Sequence, residues 1–125
     1  MIGGGFVVFL NDLHKANFDL LSSPAVFTNL DCERLSLFYI ISGNDDLFRK
    51  RHAIYDFTGN HLMFTNFKNL NTDFCSSSKA LIRLGLNLFN GYTDKYTNPL
   101  NILSCLGEQN YELAINAIKL RFKFF

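Results

Sequence analysis

Arg83, Asn87 and Asn90 share one face of a predicted helix, and Tyr92 and Tyr96 follow just beyond its end. Together they are the one grouping in this 125-residue chain with the makings of a binding site. A guanidinium holds a carboxylate or phosphate through paired hydrogen bonds, and each carboxamide adds a donor and an acceptor. Such a groove suits an anionic or nucleotide-like small molecule. The same residues admit a structural account, in which Arg83 pairs with a carboxylate and the Asn side chains satisfy loop backbone. The two accounts part at Arg83→Ala, which abolishes binding with little loss of stability in the first and unfolds the chain in the second.

Other chemistry-bearing residues carry less. Cys75 precedes three serines at the start of the same helix, where backbone N–H groups and the helix dipole lower a thiol pKa. A nucleophile also needs a base, and no local signature ties His14, His52 or His61 to it. No catalytic residue is assigned, and the chain reads as a non-enzyme. His14, His52, Asp45 and Asp56 lack the spaced pairing on one helix face that metal ligands show, so no metal site and no cofactor are expected. Arg49, Lys50, Arg51 and His52 form the densest basic run, and Lys119, Arg121 and Lys123 interleave with Phe122, Phe124 and Phe125. Consecutive helical residues diverge in direction, and Asp45 and Asp46 offset the first cluster, which argues against nucleic acid.

The element that positions the principal grouping is Ser76–Asn90, a helix apolar around most of its circumference. At about 100° per residue, Ser76, Lys79, Arg83, Asn87 and Asn90 fall within roughly 80° of arc. The rest is Ala, Leu, Ile, Gly and Phe, the pattern of a helix buried centrally in a domain. Gly91 is its expected cap. A first helix begins near Asn11 or Asp12 and ends near Ser23, before Pro24; a second runs from Asp31 to Ser42, apolar on every side after Arg34. Gly43 is expected to close it in the left-handed conformation, and Asn44 to cap a third helix reaching about Tyr55. Residues 57–74 read as turns with a short hairpin through His61 to Phe67. Asn98 and Pro99 open a short helix closed by Gly107, and the last helix runs from Glu108 to about Phe122. These elements predict an all-α fold, a single-domain bundle of about six helical segments.

Composition bounds the function classes. A chain 48% hydrophobic with 14 Phe, 5 Tyr and no Trp can close a core without metals or disulfides. A net charge of +1 supplies no general attraction to nucleic acid or anionic membrane. Three scattered cysteines without a CxxC pair suit reduced thiols and a cytoplasmic location. The apolar run Phe6–Leu10 is too short for a signal peptide or a membrane span.

The strings Leu37–Phe57 and Asp73–Leu103, with Phe9–Phe18 and Asn110–Phe122, resemble a family of small proteins catalogued as a domain of unknown function, from low-GC Gram-positive bacteria and their mobile elements. Met1–Val7, with three glycines, departs from that pattern and reads as disordered, as an alternative start or as residues foreign to the natural chain. The resemblance implies no activity, cofactor or site residue, and favours an accessory protein that binds or blocks a host component. The function expected is therefore a cytoplasmic protein-interaction module that presents an aromatic-rich surface to a protein partner or to itself. A small-molecule or nucleotide binder using Arg83, Asn87, Asn90, Tyr92 and Tyr96 is the alternative.

Overall fold

Four helices are long enough to pack along their length, and the second of them holds the others together. The computed structural model describes residues 7–23 and 31–123. Among these, α1 (Asp12–Ser22), α2 (Cys32–Ser42), α3 (Asp45–Arg49), α4 (Ser76–Asn90), α5 (Pro99–Leu103) and α6 (Glu108–Phe122) make an all-α domain, with one small hairpin between α3 and α4. Six of the residues in Met1–Val7, Pro24 after α1, and Phe124 and Phe125 lie outside the described residues.

Side-chain caps set the helix starts. Asn11 accepts from the His14 N–H at 2.8 Å, Asp31 from Arg34 at 3.1 Å, Asn44 from Leu47 at 3.0 Å and Asn98 from Asn101 at 2.9 Å. Helix α2 then packs against α1, α4 and α6. Nine of its eleven residues are buried, and Phe38, Tyr39 and Ile40 are wholly enclosed. Its hydrophobic residues have no polar face to follow because neighbours surround it. Helix α4 has the expected character too: Leu81, Ile82, Leu84, Leu86 and Leu88 are buried, whereas Ser76, Lys79 and Asn90 are exposed. Each fully buried Leu or Ile contributes roughly 1.5–3 kcal/mol relative to exposure.

Four local expectations are corrected. Gly43 is not left-handed: its φ of −96° and ψ of 0° suit any residue. Glycine is favoured there by proximity, since a Cβ would stand 2.3 Å from Leu113 Cδ1 and 2.9 Å from His14 Nε2 and would displace those buried side chains. The third helix stops at Arg49 rather than Tyr55. Lys50 leaves helical geometry, a 3-10 turn spans Arg51–Ala53, and the fully buried Ile54 and Tyr55 draw the chain into the core. The hairpin lies earlier than expected, with β1 (Tyr55–Asp56) paired antiparallel to β2 (His61–Leu62). Asp56 fixes its turn by accepting from Thr58 N at 3.0 Å and Gly59 N at 2.9 Å, an Asx-type turn that ends with Asn60 at a φ of 62°. Gly107 does not close α5, which gives way at Ser104; it stands instead at the N-cap of α6.

Candidate functional site

Helix α4 ends where Gly91 adopts a φ of 80°, a left-handed turn that glycine enters without strain. The chain doubles back, so loop residues 92–97 lie beside the polar strip of the helix they have just left. Asp94 organises that loop. One carboxylate oxygen accepts from Arg83 Nε and from the Tyr92 hydroxyl, each at 3.0 Å. The other accepts from the Tyr96 N–H at 2.9 Å and from the Thr97 hydroxyl at 3.0 Å. Burial alone would raise the Asp94 pKa, but these donors outweigh it and hold the carboxyl below its usual value. The Tyr92 hydroxyl moves the opposite way: burial, then its bond to Asp94, raises it.

Each residue of the predicted grouping falls at this loop. Asn87 donates to the Tyr92 carbonyl at 3.0 Å, and Asn90 accepts from the Tyr92 N–H at 3.0 Å. Arg83 is gripped on three sides, by Asp94 and by the rings of Phe67 and Tyr96, whose centroids lie 4.2 and 5.0 Å from its guanidinium carbon. The carboxamides and Tyr92 thus tie the loop to the helix. Arg83 and Tyr96 also face a cleft of about 270 Å³ that they share with Ser76, Lys79, Ile102 and Cys105. Asn87, Asn90 and Tyr92 do not line it. Sequence reasoning missed Cys105 as a wall of this cleft, because no periodic pattern says on which side of α4 the five-residue α5 will settle.

On the other flank of α5 lies a second hollow of about 270 Å³, lined mainly by Leu84, Leu88, Pro99, Ile102, Ile118 and Phe122. Phe122 is 54% exposed at its rim, and Leu100 on α5 is 79% exposed. A third hollow, of about 320 Å³, separates α1 from the α2–α3 corner and the start of α6; Asn17, Asn44, Asp45, Gln109 and Asn110 are among its walls.

The remaining candidates are engaged elsewhere. His14 is buried, accepting the Leu10 N–H at Nδ1 (3.1 Å) while Nε2 lies 3.0 Å from the Tyr39 carbonyl, which defines a neutral Nε2–H tautomer. Burial pulls its pKa down, against a smaller upward pull from the Tyr39 carbonyl. Cys75 is exposed at the N-cap of α4, with Sγ 3.3 Å from both Ser77 Oγ and Ser78 Oγ; these hydroxyls bring the thiol to about 7. No histidine is among its hydrogen-bond partners in the described residues. In the basic run, Arg49 pairs with Asp45 and Asp46, Lys50 with Asp46, and Arg51 lies over the Phe48 ring. Asp46, held below its usual pKa chiefly by Lys50, also accepts from Ser78 at 2.9 Å and so fastens α3 to the start of α4.

Among the described residues no group of three or more His, Cys, Asp or Glu could hold a metal ion, and no helix is long and apolar enough to cross a membrane. No curated protein and no solved structure matches the chain. A model of the family of unknown function DUF6075 matches residues 5–124, nearly the whole length. The chain therefore belongs to DUF6075, a family of unknown function.

Proposed function

We propose that this chain is a non-catalytic interaction module whose apolar hollow between α4, α5 and α6 receives an apolar segment of a partner protein. The observation that carries the reading is the exposed rim of that hollow, where Phe122 stands 54% accessible beside the buried Leu88 and Ile102. Aromatic content alone would not carry it. Among the described phenylalanines only Phe122 is exposed, the others being folded inward or partly covered. Charge narrows the partner: Lys119 and Lys123, at the end of α6, are exposed and have no ion pair with described residues. The occupant is thus an apolar segment flanked by acidic residues. The family resemblance supports a cytoplasmic accessory protein of low-GC Gram-positive bacteria or their mobile elements, in which the hollow would bind or block a host component.

The test is fluorescence anisotropy with a labelled leucine-rich peptide carrying glutamates at both ends, and its counterpart carrying lysines. Tighter binding of the acidic peptide, weakened at least tenfold by Phe122→Ala, supports the reading. Equal binding of both peptides, or indifference to Phe122→Ala, overturns it.

A second reading, small-molecule binding, is favoured by one separate observation: the immobilised Arg83 borders a cleft rather than solvent at large.

A further inference from the structure

Arg83 uses only part of its hydrogen-bonding capacity. Nε is bonded to Asp94, and among the described residues its two terminal nitrogens have no hydrogen-bond partner. The guanidinium is nonetheless fixed, because Phe67 and Tyr96 lie within 4.2 and 5.0 Å of it and Asp94 anchors one edge. A guanidinium held in this way has already lost most of the side-chain freedom that binding an anion would otherwise remove.

The cleft it borders carries a second cation. Lys79 lies four residues earlier on the same helix face, exposed and without an ion pair to any described residue. Asp94 offsets one of the two positive charges, so the cleft keeps a net positive character. Between the polar ends, Ala80 and Ile102 supply an apolar floor, and the 45% exposed Tyr96 ring forms a side wall. The volume of about 270 Å³ lies just below the usual range of ligand pockets, which excludes a full dinucleotide and admits a single ring with one charged substituent.

We infer that this cleft binds a small organic phosphate monoester, with its phosphate on Arg83 and Lys79 and its body against Ala80, Ile102 and Tyr96. The inference rests on the small-molecule reading above and is independent of the apolar hollow beyond α5. A dianionic phosphate matches two cations better than a carboxylate does, and its three oxygens can meet both terminal nitrogens and the ammonium together.

Cys105 provides the measurement, since its exposed thiol lines the cleft while Cys75, also exposed, does not. The native protein is treated with iodoacetamide, and alkylation at each cysteine is followed by peptide mass spectrometry. The probes are phenyl phosphate, inorganic phosphate, benzoate and phenol. The expected result is that phenyl phosphate slows alkylation of Cys105 at least fivefold, leaves Cys75 unchanged, and acts at concentrations at least tenfold below those of the other probes. Arg83→Lys keeps the charge but removes the fork and should weaken protection at least tenfold. Lys79→Ala, at an exposed position, should weaken it severalfold with an unaltered melting curve, which separates binding from folding should Arg83→Lys unfold. Equal protection by phenol and phenyl phosphate would overturn the phosphate assignment while leaving a small-molecule cleft. Preference for benzoate would overturn it in favour of a carboxylate. Absence of protection by any probe, or protection unaffected by Lys79→Ala, would overturn the inference, the former together with the small-molecule reading.

Discussion

The two hollows that flank α5 share a wall, Ile102, and draw on the same helix, α4, yet one is edged by two cations and the other carries no charged residue in its lining. The difference arises from what the following loop does to the polar strip. Along its first half, Lys79 and Arg83 reach the cleft with hydrogen-bonding capacity unfilled. Along its second half the strip is just as polar in sequence, but Asn87 and Asn90 are taken up by the backbone of Tyr92. Asn87 still borders the hollow there, but with its amide already donated to the Tyr92 carbonyl, and Leu84 and Leu88 on the adjoining turns supply the apolar wall. A polar residue therefore marks a binding surface only where no nearby backbone satisfies it first.

The largest expected disturbance to this contrast is Ile102→Ala. Removing the 5% exposed wall common to both hollows should destabilise the fold by about 2–5 kcal/mol and merge their lining. Thermal unfolding checks the first effect, and loss of both peptide and phosphate protection checks the second; loss of only one would show that the hollows are separate. Asp94→Ala should act on one side only. It releases Arg83, the Tyr96 amide and the Thr97 hydroxyl, for about 1–3 kcal/mol by urea unfolding, while the acidic peptide still binds. Acid should mimic it. Because the folded Asp94 pKa lies below its unfolded value, its contribution is complete above the ordinary carboxylate range and disappears as pH falls through the depressed value.

His14 gives a smaller effect away from both hollows. Its folded pKa is below the unfolded value of 6.5, so the unfolded chain binds the extra proton first. Stability should be level above about pH 7 and decline as pH falls below 6.5, by at most about 1.4 kcal/mol per unit of pKa depression. Denaturation between pH 5 and 8 measures this, and His14→Gln should flatten the profile. The smallest effect belongs to Phe122→Ala. This exposed side chain should change stability by no more than about 0.5 kcal/mol, so lost peptide binding in that variant is attributable to the surface.

Helix identity was legible in the sequence wherever a cap and a period agreed. Asn44 caps α3 as expected, the helices expected to open near Asn11, Asp31 and Asn98 do so with those side chains as caps, and Gly91 caps α4 in the left-handed conformation. The pairs Asp45 with Arg49 and Asp46 with Lys50 form as spaced. Gly43 misled because a glycine after a helix ordinarily signals conformation, and this one signals contact with Leu113 and His14, residues distant in sequence. The hairpin begins earlier than the pattern indicates because Tyr55 fits a helical reading, although it is buried through edge-on and tilted contacts with Phe38 and Phe57, ring centroids 5.1 and 5.2 Å away. At the candidate site, the five residues meet at one loop, but only Arg83 and Tyr96 line the cleft, because Asn87 and Asn90 are bonded to the backbone of Tyr92. Asp94, which organises them, went unassigned because a carboxylate in GYTDKYT carries no periodic cue. Lys79 and Cys105 joined the cleft only once the placement of α5 was known.

The close contact of Gly43 with Leu113 and His14 bears on how the molecule breathes. The buried His14 bond to the Tyr39 carbonyl ties α1 to α2 beside this corner, so parting those helices there must break it. Low-energy openings are thereby directed to the opposite side, where α5 is five residues long and has one well-buried side chain. Amide hydrogen exchange should accordingly be slowest at Tyr39–Gly43 and fast at Leu100–Leu103. The wall between the two hollows is then the part of the fold most able to yield, and filling either hollow should register there as slowed exchange.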